Sequence, residues 1–152
     1  VKGGTEGSIF EEEWHAFPEA RLEQKLVAGW SDIRNARNIV NKKIEDERAK
    51  GAVGSSLQAE IDIHVAGPAY EMMNRLGDDL RFVFITSRAT LHKKADAGDD
   101  PDPVTQVNPS THAKCERCWH YRADVGHDPQ HPELCGRCTS NLYGAGEPRS
   151  HA

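Results

Sequence analysis

The chain has 152 residues, of which 37% are hydrophobic, and its mean hydropathy is -0.70, so we expect one small core and a considerable solvated remainder. Its net charge of -5 excludes a broad basic surface of the kind that dominates non-specific binding to nucleic acid. No apolar run approaches the roughly 20 residues that cross a bilayer. No apolar signal segment follows the opening Val1-Lys2, so we expect neither a membrane-spanning nor a secreted protein.

The first predicted elements are an acidic lead-in and a long helix. Residues 1–18 form the lead-in, which we expect to be extended. An amphipathic helix follows from about Glu19 to Lys50, because apolar side chains recur there at spacings of three, four and seven. These side chains are Leu22, Leu26, Trp30, Ile33, Val40 and Ile44. Gly51 marks the exit of the helix, and we expect Trp30 to pack in the core. This helix also has the highest density of Lys and Arg in the chain.

A small α/β layer is predicted next. Residues 59–65 alternate between apolar and polar side chains, which is the pattern of a half-buried strand. Gly67-Pro68 opens a short helix that runs to about Leu80. The core-facing residues of this helix are Met72, Met73 and Leu76. The run Arg81–Ser87 is rich in β-branched and aromatic residues and predicts a second strand, buried on both faces.

Beyond the lead-in, the chain is expected to divide into three parts. Residues 19–92 form a helical and α/β junction domain. Residues 93–111 are acidic and cannot bury enough apolar surface to offset their ordering entropy, so we expect a flexible linker. This linker has two apolar residues that could add a brief edge strand, Val104 and Val107. Residues 112–152 form the last module, and the expected fold class is α+β.

Four cysteines, the only ones in the chain, form the two brackets Cys115-Glu-Arg-Cys118 and Cys135-Gly-Arg-Cys138, with sixteen residues between them. This spacing predicts a tetrahedral Zn²⁺ site, because two residues between cysteines let both sulfurs point inward at about 2.3 Å from the ion. The four thiolates leave no coordination position open, so the single ion is expected to be structural rather than catalytic. Cysteines kept free for a metal also indicate a reducing cytoplasm.

Other uses of these cysteines are less consistent with the sequence. Two disulfides would suit a smaller secreted scaffold, and a redox pair would need one Cys-x-x-Cys at a strand-to-helix junction. Histidine could replace a cysteine ligand, and four histidines lie in the module: His112, His120, His127 and His131. With four cysteines in register, we instead expect these histidines on loops or in hydrogen bonds around the site.

The sequence contains no motif of catalysis or nucleotide binding. There is no Gly-x-Gly-x-x-Gly and no Gly-x-x-x-x-Gly-Lys, so we expect no independent active site. What the module offers is a tight turn that carries Arg117 and Trp119 nearly side by side. The residues alone leave open whether Trp119 is a lid over the metal site or an exposed surface on which an unpaired base stacks.

Two sets of motifs are specific enough to compare with known families. In the module they are Cys115-x-Arg117-Cys118-Trp119-His120-Tyr121, Asp124-Val125-Gly126, His131, Leu134-Cys135-Gly136-Arg137-Cys138, Ser140-Asn141 and Gly144-x-Gly146-Glu147-x-Arg149. Upstream they are Trp30-x-x-Ile33-Arg34, Val40-Asn41-Lys42, Glu45-x-x-Arg48-x-x-Gly51, Val53-Gly54-Ser55-Ser56-Leu57-Gln58-Ala59 and Leu80-Arg81-Phe82-Val83-x-Ile85-Thr86-Ser87. From about residue 8 to the end, the chain resembles the C-terminal end of bacterial isoleucyl-tRNA synthetase.

The resemblance implies part of a class I synthetase, an enzyme that ligates isoleucine to tRNA(Ile) with ATP. The family's nucleotide signatures, His-Ile-Gly-His and Lys-Met-Ser-Lys-Ser, do not occur here, so the catalytic and editing domains are expected upstream in a longer chain. It further implies that this part binds the tRNA anticodon stem-loop, in a cytoplasmic monomer without membrane contact. By the same resemblance, Arg117 and Trp119 are the expected contacts to the anticodon. Further candidate RNA contacts are Arg137, Arg34, Arg37 and Lys42, and no residue here is assigned a catalytic role.

Departures from the family and two alternatives remain. Glu116 stands where the family often has Pro, which puts the loop geometry around Arg117 in question, and Gln58 stands where it often has Glu. The cysteine spacing is also similar to the C-terminal zinc finger of formamidopyrimidine-type DNA glycosylases, although this chain does not begin with the Pro nucleophile of that class. A third interpretation, favoured by the acidic net charge, is a zinc ribbon that binds a protein partner.

Overall fold

The computed structural model of the protein describes residues 13, 16, 24–94 and 103–147. The predicted lead-in, apart from two positions, lies outside the described residues, as do the start of the long helix and the middle of the predicted linker. The described part contains a helix-covered sheet, called here the layer, over residues 24–110, and a zinc-finger-like module over residues 111–147. The predicted α+β class, with a cysteine-bearing module after a long helix and a small sheet, is confirmed.

The long helix α1 spans Gln24–Ala49. Its buried side chains are Ile33, Ala36, Val40 and Ile44, which follow one another at spacings of three and four and so lie on one face. Gly51 ends the helix with a φ of +75°, and its N–H donates to the carbonyl of Arg48 at 2.9 Å. A left-handed residue is needed there to close the last turn, which explains glycine at the predicted exit.

A three-stranded mixed sheet packs against this helix. The central strand β1, Ala59–Val65, runs parallel to β2, Arg88–Lys93, and antiparallel to β3, Val104–Pro109. Its alternate residues are fully buried, as the period-two pattern predicts: Ala59, Ile61, Ile63 and Val65. The edge strand predicted at Val104 and Val107 is confirmed as β3, so the segment predicted as a linker contains a strand.

The connection between β1 and β2 differs from the prediction. Helix α2 spans only Gly67–Asn74, a 3-10 turn follows at Gly77–Asp79, and α3 spans Leu80–Phe84. The strand predicted over Arg81–Ser87 is wrong, because the second strand begins at Arg88. The buried apolar side chains of α3 lie four residues apart, at Leu80 and Phe84, which is a helical spacing. The high β propensity of the run is outweighed by this packing.

The core of the layer lies between α1, β1 and the connecting helices. Met73, Leu80 and Phe84 are fully buried in it, and the predicted packing of Met72 and Leu76 is also present at its edge. The prediction that Trp30 is a core residue is wrong, since its side chain is 38% exposed. The first turns of α1 therefore present apolar side chains to solvent. Among the described residues, no helix combines the length and apolar content that crossing a bilayer requires.

The module contains a two-stranded antiparallel ribbon and one helix. The ribbon pairs β4, Ala113–Lys114, with β5, Tyr121–Arg122, and helix α4 spans Gly136–Tyr143. The two cysteine brackets lie where these elements begin or end. The first lies in the turn between β4 and β5, and the second forms the start of α4.

Candidate metal centre

The four cysteine sulfurs meet at one point. The Sγ atoms of Cys115, Cys118, Cys135 and Cys138 all lie within 4.8 Å of one another, and no other group of three or more metal-ligating side chains meets within the described ranges. A tetrahedral ion with Zn–S bonds of about 2.3 Å separates its sulfurs by about 3.8 Å. The Sγ atoms of Cys118 and Cys135 are 3.7 Å apart. The four-cysteine cluster is therefore consistent with a zinc site.

Backbone hydrogen bonds shape the first bracket. The N–H of Trp119 donates to the carbonyl of Cys115 at 2.9 Å, and the N–H of Cys115 donates to the carbonyl of His120 at the same distance. The two bonds close the turn between β4 and β5 so that both of its sulfurs face the cluster. A third donor, the N–H of Cys135, reaches Cys115 Sγ at 3.4 Å and links the two brackets.

The second bracket depends on a helix start and a glycine. Cys135 is the N-cap of α4, which places Cys138 one turn later on the same face. The N–H of Gly136 donates to a carboxylate oxygen of Asp124 at 3.0 Å. The negative charge of Asp124 lies at the N-terminus of α4, where its interaction with the helix dipole is favourable. A Cβ at Gly136 would lie only 3.0 Å from the same oxygen. Glycine in Cys135-Gly-Arg-Cys138 therefore permits the close approach of Asp124.

The sulfur cluster favours a bound cation. Burial opposes ionisation of Cys115, but backbone N–H groups donate to its sulfur and lower its pKa to about 6. Burial raises the pKa of Cys118 and of Cys135, and for Cys135 the neighbouring sulfur of Cys118 raises it further. A second thiolate beside that of Cys115 is therefore unfavourable at this point, and a divalent ion would offset the cost of ionising the remaining cysteines. The donor set thus fits the ion that the spacing predicts.

Little else holds the module together. Its buried cluster contains, besides the cysteines, only Leu134, with Val125 packed against it. Among the described residues the cluster contains cysteines alone, and none of the four histidines weighed as alternative ligands belongs to it. His120 instead donates from Nδ1 to the carbonyl of Cys118 at 3.1 Å. Burial, followed by the charges of Arg81 and Arg137, lowers the pKa of His120 and keeps its ring neutral.

Trp119 is displayed rather than buried. Its side chain is 59% exposed, it lies outside the buried cluster, and its φ of 65° places it in the left-handed region. Such a conformation is unusual for a bulky residue and carries strain. The ammonium group of Lys114 lies 5.4 Å from the ring centroid, which adds a positive charge beside the indole. The geometry favours the stacking surface over the lid.

Arg117 lies beside Trp119 on the same turn. It is exposed, and its NH1 donates to Cys138 Sγ at 3.7 Å. The guanidinium thus contacts one ligand of the candidate metal site and still faces solvent. Arg117 and Trp119 are thus both exposed on the turn of the first bracket.

Arg137 differs from the other predicted RNA contacts. Its guanidinium forms a two-pronged ion pair with Glu147, at 2.5 and 2.9 Å, and lies 4.9 Å from the ring centroid of Phe82. The guanidinium of Arg81 lies on the same ring at 4.4 Å, and the ring of His120 meets it edge-on at 5.6 Å. Phe82 therefore joins the module to the layer, and Arg137 is engaged in that junction.

A serine hydroxyl forms the second joint. Ser87 is 1% exposed, its Oγ donates to the carbonyl of Leu57, and it accepts from the N–H of Tyr121, both at 2.5 Å. One buried hydroxyl thus connects the loop before β1, the start of β2 and the ribbon strand β5. The sequence analysis missed Ser87 and Phe82, because it placed both in a strand. The charged Arg81 inside that apolar run was the available signal for a different structure.

The remaining predicted contacts lie on α1. Arg34 and Arg37 line a groove beside α3, 290 Å³ in volume, whereas Lys42 is exposed farther along the helix. These three residues are not adjacent to the four sulfurs. The predicted RNA contacts therefore form two groups, one on the module and one on the layer.

Comparison with known proteins adds a family to this geometry. A family model described as "Zinc finger found in FPG and IleRS" matches residues 114–141. The chain is 52% identical over 145 residues to isoleucine–tRNA ligase of Cupriavidus taiwanensis, which covers 95% of this chain and 15% of the relative. It is 53% identical over 152 residues to the ligase of Cupriavidus necator, covering 98% and 16%. For the ligase of Bordetella pertussis the identity is 50% over 145 residues, covering 95% and 15%. The chain thus spans about 15% of the length of these curated relatives.

Proposed function

The chain is homologous to the C-terminal region of bacterial isoleucine–tRNA ligase, a class I aminoacyl-tRNA synthetase, and from this premise we propose that it binds the anticodon stem-loop of tRNA(Ile). In this proposal the catalytic and editing domains lie upstream in a longer, cytoplasmic and monomeric enzyme, which ligates isoleucine to tRNA with ATP. The chain itself contributes binding and no catalytic residue.

The observation that carries the proposal is the display of Trp119. An indole that is 59% exposed, held in a left-handed conformation beside the metal ligand Cys118, offers a flat apolar face at a fixed position. Unpaired bases of an RNA loop stack on such faces, with a contribution of about 1 to 3 kcal/mol per base. Lys114 places a positive charge 5.4 Å from the ring centroid, and exposed Arg117 adds another on the same turn for the adjoining phosphates.

The zinc ion in this proposal is a scaffold. Cys115, Cys118, Cys135 and Cys138 would hold one Zn²⁺, which supplies a fixed tetrahedral geometry and no reaction chemistry. The two brackets bring the turn of Trp119 against α4. Hydrogen bonds within the chain position the turn that carries Trp119. The most direct of these run from the N–H of Trp119 to the carbonyl of Cys115 and from the N–H of Cys135 to Cys115 Sγ.

We assign the direct RNA contacts to Arg117 and Trp119 on the module and to Arg34, Arg37 and Lys42 on α1. We assign Arg137 no direct RNA contact, because its guanidinium already pairs with Glu147 and packs on Phe82; its role in the proposal is to hold the module against the layer. The DNA-glycosylase alternative accounts for the finger alone, whereas the identity to the ligases extends over 145 residues and includes the layer. That breadth favours the tRNA interpretation.

Steady-state kinetics of a full-length ligase that contains this region would test the proposal. Trp119→Ala should raise the KM for tRNA by about tenfold, because one stacked base is lost, and leave the KM values for isoleucine and ATP unchanged. Tyr143→Ala is the matched control, since Tyr143 is an equally exposed aromatic residue of the same module outside the proposed contacts. Equal effects of Trp119→Ala on all three substrates would contradict the proposal.

A further inference from the structure

A groove lies between α1 and α3, and the zinc module does not line it. It has a volume of 290 Å³. Its walls carry three exposed apolar side chains: Trp30 at 38%, Phe82 at 36% and Ile85 at 47% exposure. Monomeric proteins rarely leave large apolar side chains adjacent to one another in solvent without a use.

The backbone at the rim of this groove is strained. Ile85 follows α3 with φ 56° and ψ 50°, in the left-handed region that a β-branched residue strongly disfavours. Within the described part of the chain, only Ile85 and Trp119 combine a side chain with a positive φ. Both are exposed apolar residues, so neither is retained for core packing. Strain of this kind is characteristic of residues kept for a contact with another molecule.

The charge of the groove is entirely positive among its described lining residues. Arg34 and Arg37 line it, and no Asp or Glu does. Arg37 forms no ion pair with a carboxylate among the described contacts, and its buried Nε has no hydrogen-bond partner there. Arg34 has a hydrogen bond only to the hydroxyl of Ser31, at 3.3 Å, among the contacts described for it. The groove therefore presents unneutralised guanidinium groups beside exposed aromatic rings.

We propose that this groove binds one unpaired nucleotide of RNA, with the base against Trp30, Phe82 and Ile85 and the phosphate on Arg34 and Arg37. The proposal rests on the tRNA-binding function proposed above and adds a second site to it. Aromatic faces combined with guanidinium groups and no acid are suited to a base and its phosphate.

Phe82 connects this groove with the zinc module. Its side chain lines the groove, and the Arg137 guanidinium and the His120 ring of the module lie 4.9 and 5.6 Å from the centroid of the same ring. The groove and the module therefore meet at Phe82. An RNA loop that contacts both Trp119 and the groove would gain affinity beyond either contact alone.

The indole N–H groups of Trp30 and Trp119 provide separate reporters of the two sites. The experiment is titration of the zinc-loaded, ¹⁵N-labelled chain with unmodified tRNA(Ile) transcript, with the indole signals assigned by Trp30→Phe and Trp119→Phe. We expect both the Trp30 and the Trp119 signals to shift as RNA is added. Heparin, a polyanion without bases, should shift the Trp30 signal much less than RNA does, because it can pair with Arg34 and Arg37 but offers no base to the aromatic wall.

Ile85→Gly separates binding from folding. Glycine adopts the left-handed conformation without strain, so the variant should melt at the same or a higher temperature. Its groove loses one apolar wall, and the RNA-dependent shift of Trp30 should saturate at about tenfold higher RNA, as should that of Arg37→Gln. Lys43→Gln is the control. Lys43 is exposed on the opposite face of α1, so this substitution removes one positive charge outside the groove and should change the Trp30 titration little.

The outcomes are distinguishable. If Trp119 shifts and Trp30 does not, or if heparin shifts Trp30 as much as RNA does, the nucleotide site is overturned while the proposed function stands. If Ile85→Gly and Arg37→Gln titrate like the parent chain, the site is likewise overturned. If RNA shifts neither indole, the proposed function fails together with the site.

Discussion

The layer and the module are stabilised by different means, although they are parts of one short chain. The layer encloses twelve buried apolar side chains between α1, the sheet and the connecting helices. The buried cluster of the module consists of three cysteines and Leu134. The module is too small to bury the apolar surface that a stable fold needs, and we expect a metal held by the four cysteines to supply the difference. The layer, by contrast, follows the ordinary rules of hydrophobic burial.

The first test of this difference is removal of the metal. Binding of structural zinc contributes roughly 10 to 16 kcal/mol in small fingers, so chelation should unfold residues 112–145 and leave the layer folded. The ¹H–¹⁵N spectrum should lose the dispersed signals of the module and retain those of Ile61 and Ile63 in β1. Native signals for 112–145 after complete removal of zinc would show that the metal does not stabilise the module.

A core substitution should have the reverse effect. Phe84 is fully buried, and Phe84→Ala should destabilise the layer by about 3 to 5 kcal/mol through lost burial and a new cavity. Signals of β1 should then disappear at lower temperature than those of the zinc-loaded module. Val27→Ala, at an exposed position of α1, should change stability by less than about 0.5 kcal/mol. A single coincident transition in Phe84→Ala would mean that the two regions unfold together.

The joint between the regions gives the smallest effect. Ser87→Ala removes both hydrogen bonds of the hydroxyl and leaves the N–H of Tyr121 and the carbonyl of Leu57 without this partner, at a cost of about 1 to 3 kcal/mol. Exchange of the Tyr121 amide with solvent should become faster, while that of Ile63 should change less. Ser55→Ala is the control, because Ser55 makes no capping bond. Unchanged protection of Tyr121 would exclude Ser87 as a joint.

Hydrophobic burial in the layer and cysteine spacing in the module also explain which features the sequence could predict. The alternation along β1 and the three-and-four spacing along α1 are local patterns of burial, and both elements were predictable from them. The four ligands were predictable because the bracket spacing follows from the coordination geometry. In each case the signal lies within a few residues of chain.

The strand predictions that failed concern residues whose burial depends on partners far away in the sequence. The apolar run of α3 resembles a strand, yet Phe82 and Ile85 face outward, and the true strand β2 is a polar edge strand that begins with Arg88. No local pattern identifies such a strand, because its partner β1 supplies the burial. The contact of Ser87 with Tyr121 spans 34 residues and has no local signature either.

The left-handed conformation of Trp119 has a thermodynamic consequence. Its N–H is bonded to the carbonyl of Cys115, so the conformation of Trp119 is tied to the closed turn of the first bracket. In the proposed function, a zinc ion held by that bracket would keep the turn closed, and the ordering cost of the indole would be met during metal binding, before RNA arrives. Linkage makes this coupling reciprocal: by whatever factor the ion raises affinity for the anticodon loop, the bound loop must raise affinity for the ion. A ligase engaged with its tRNA should therefore release zinc to a chelator more slowly than the free enzyme does.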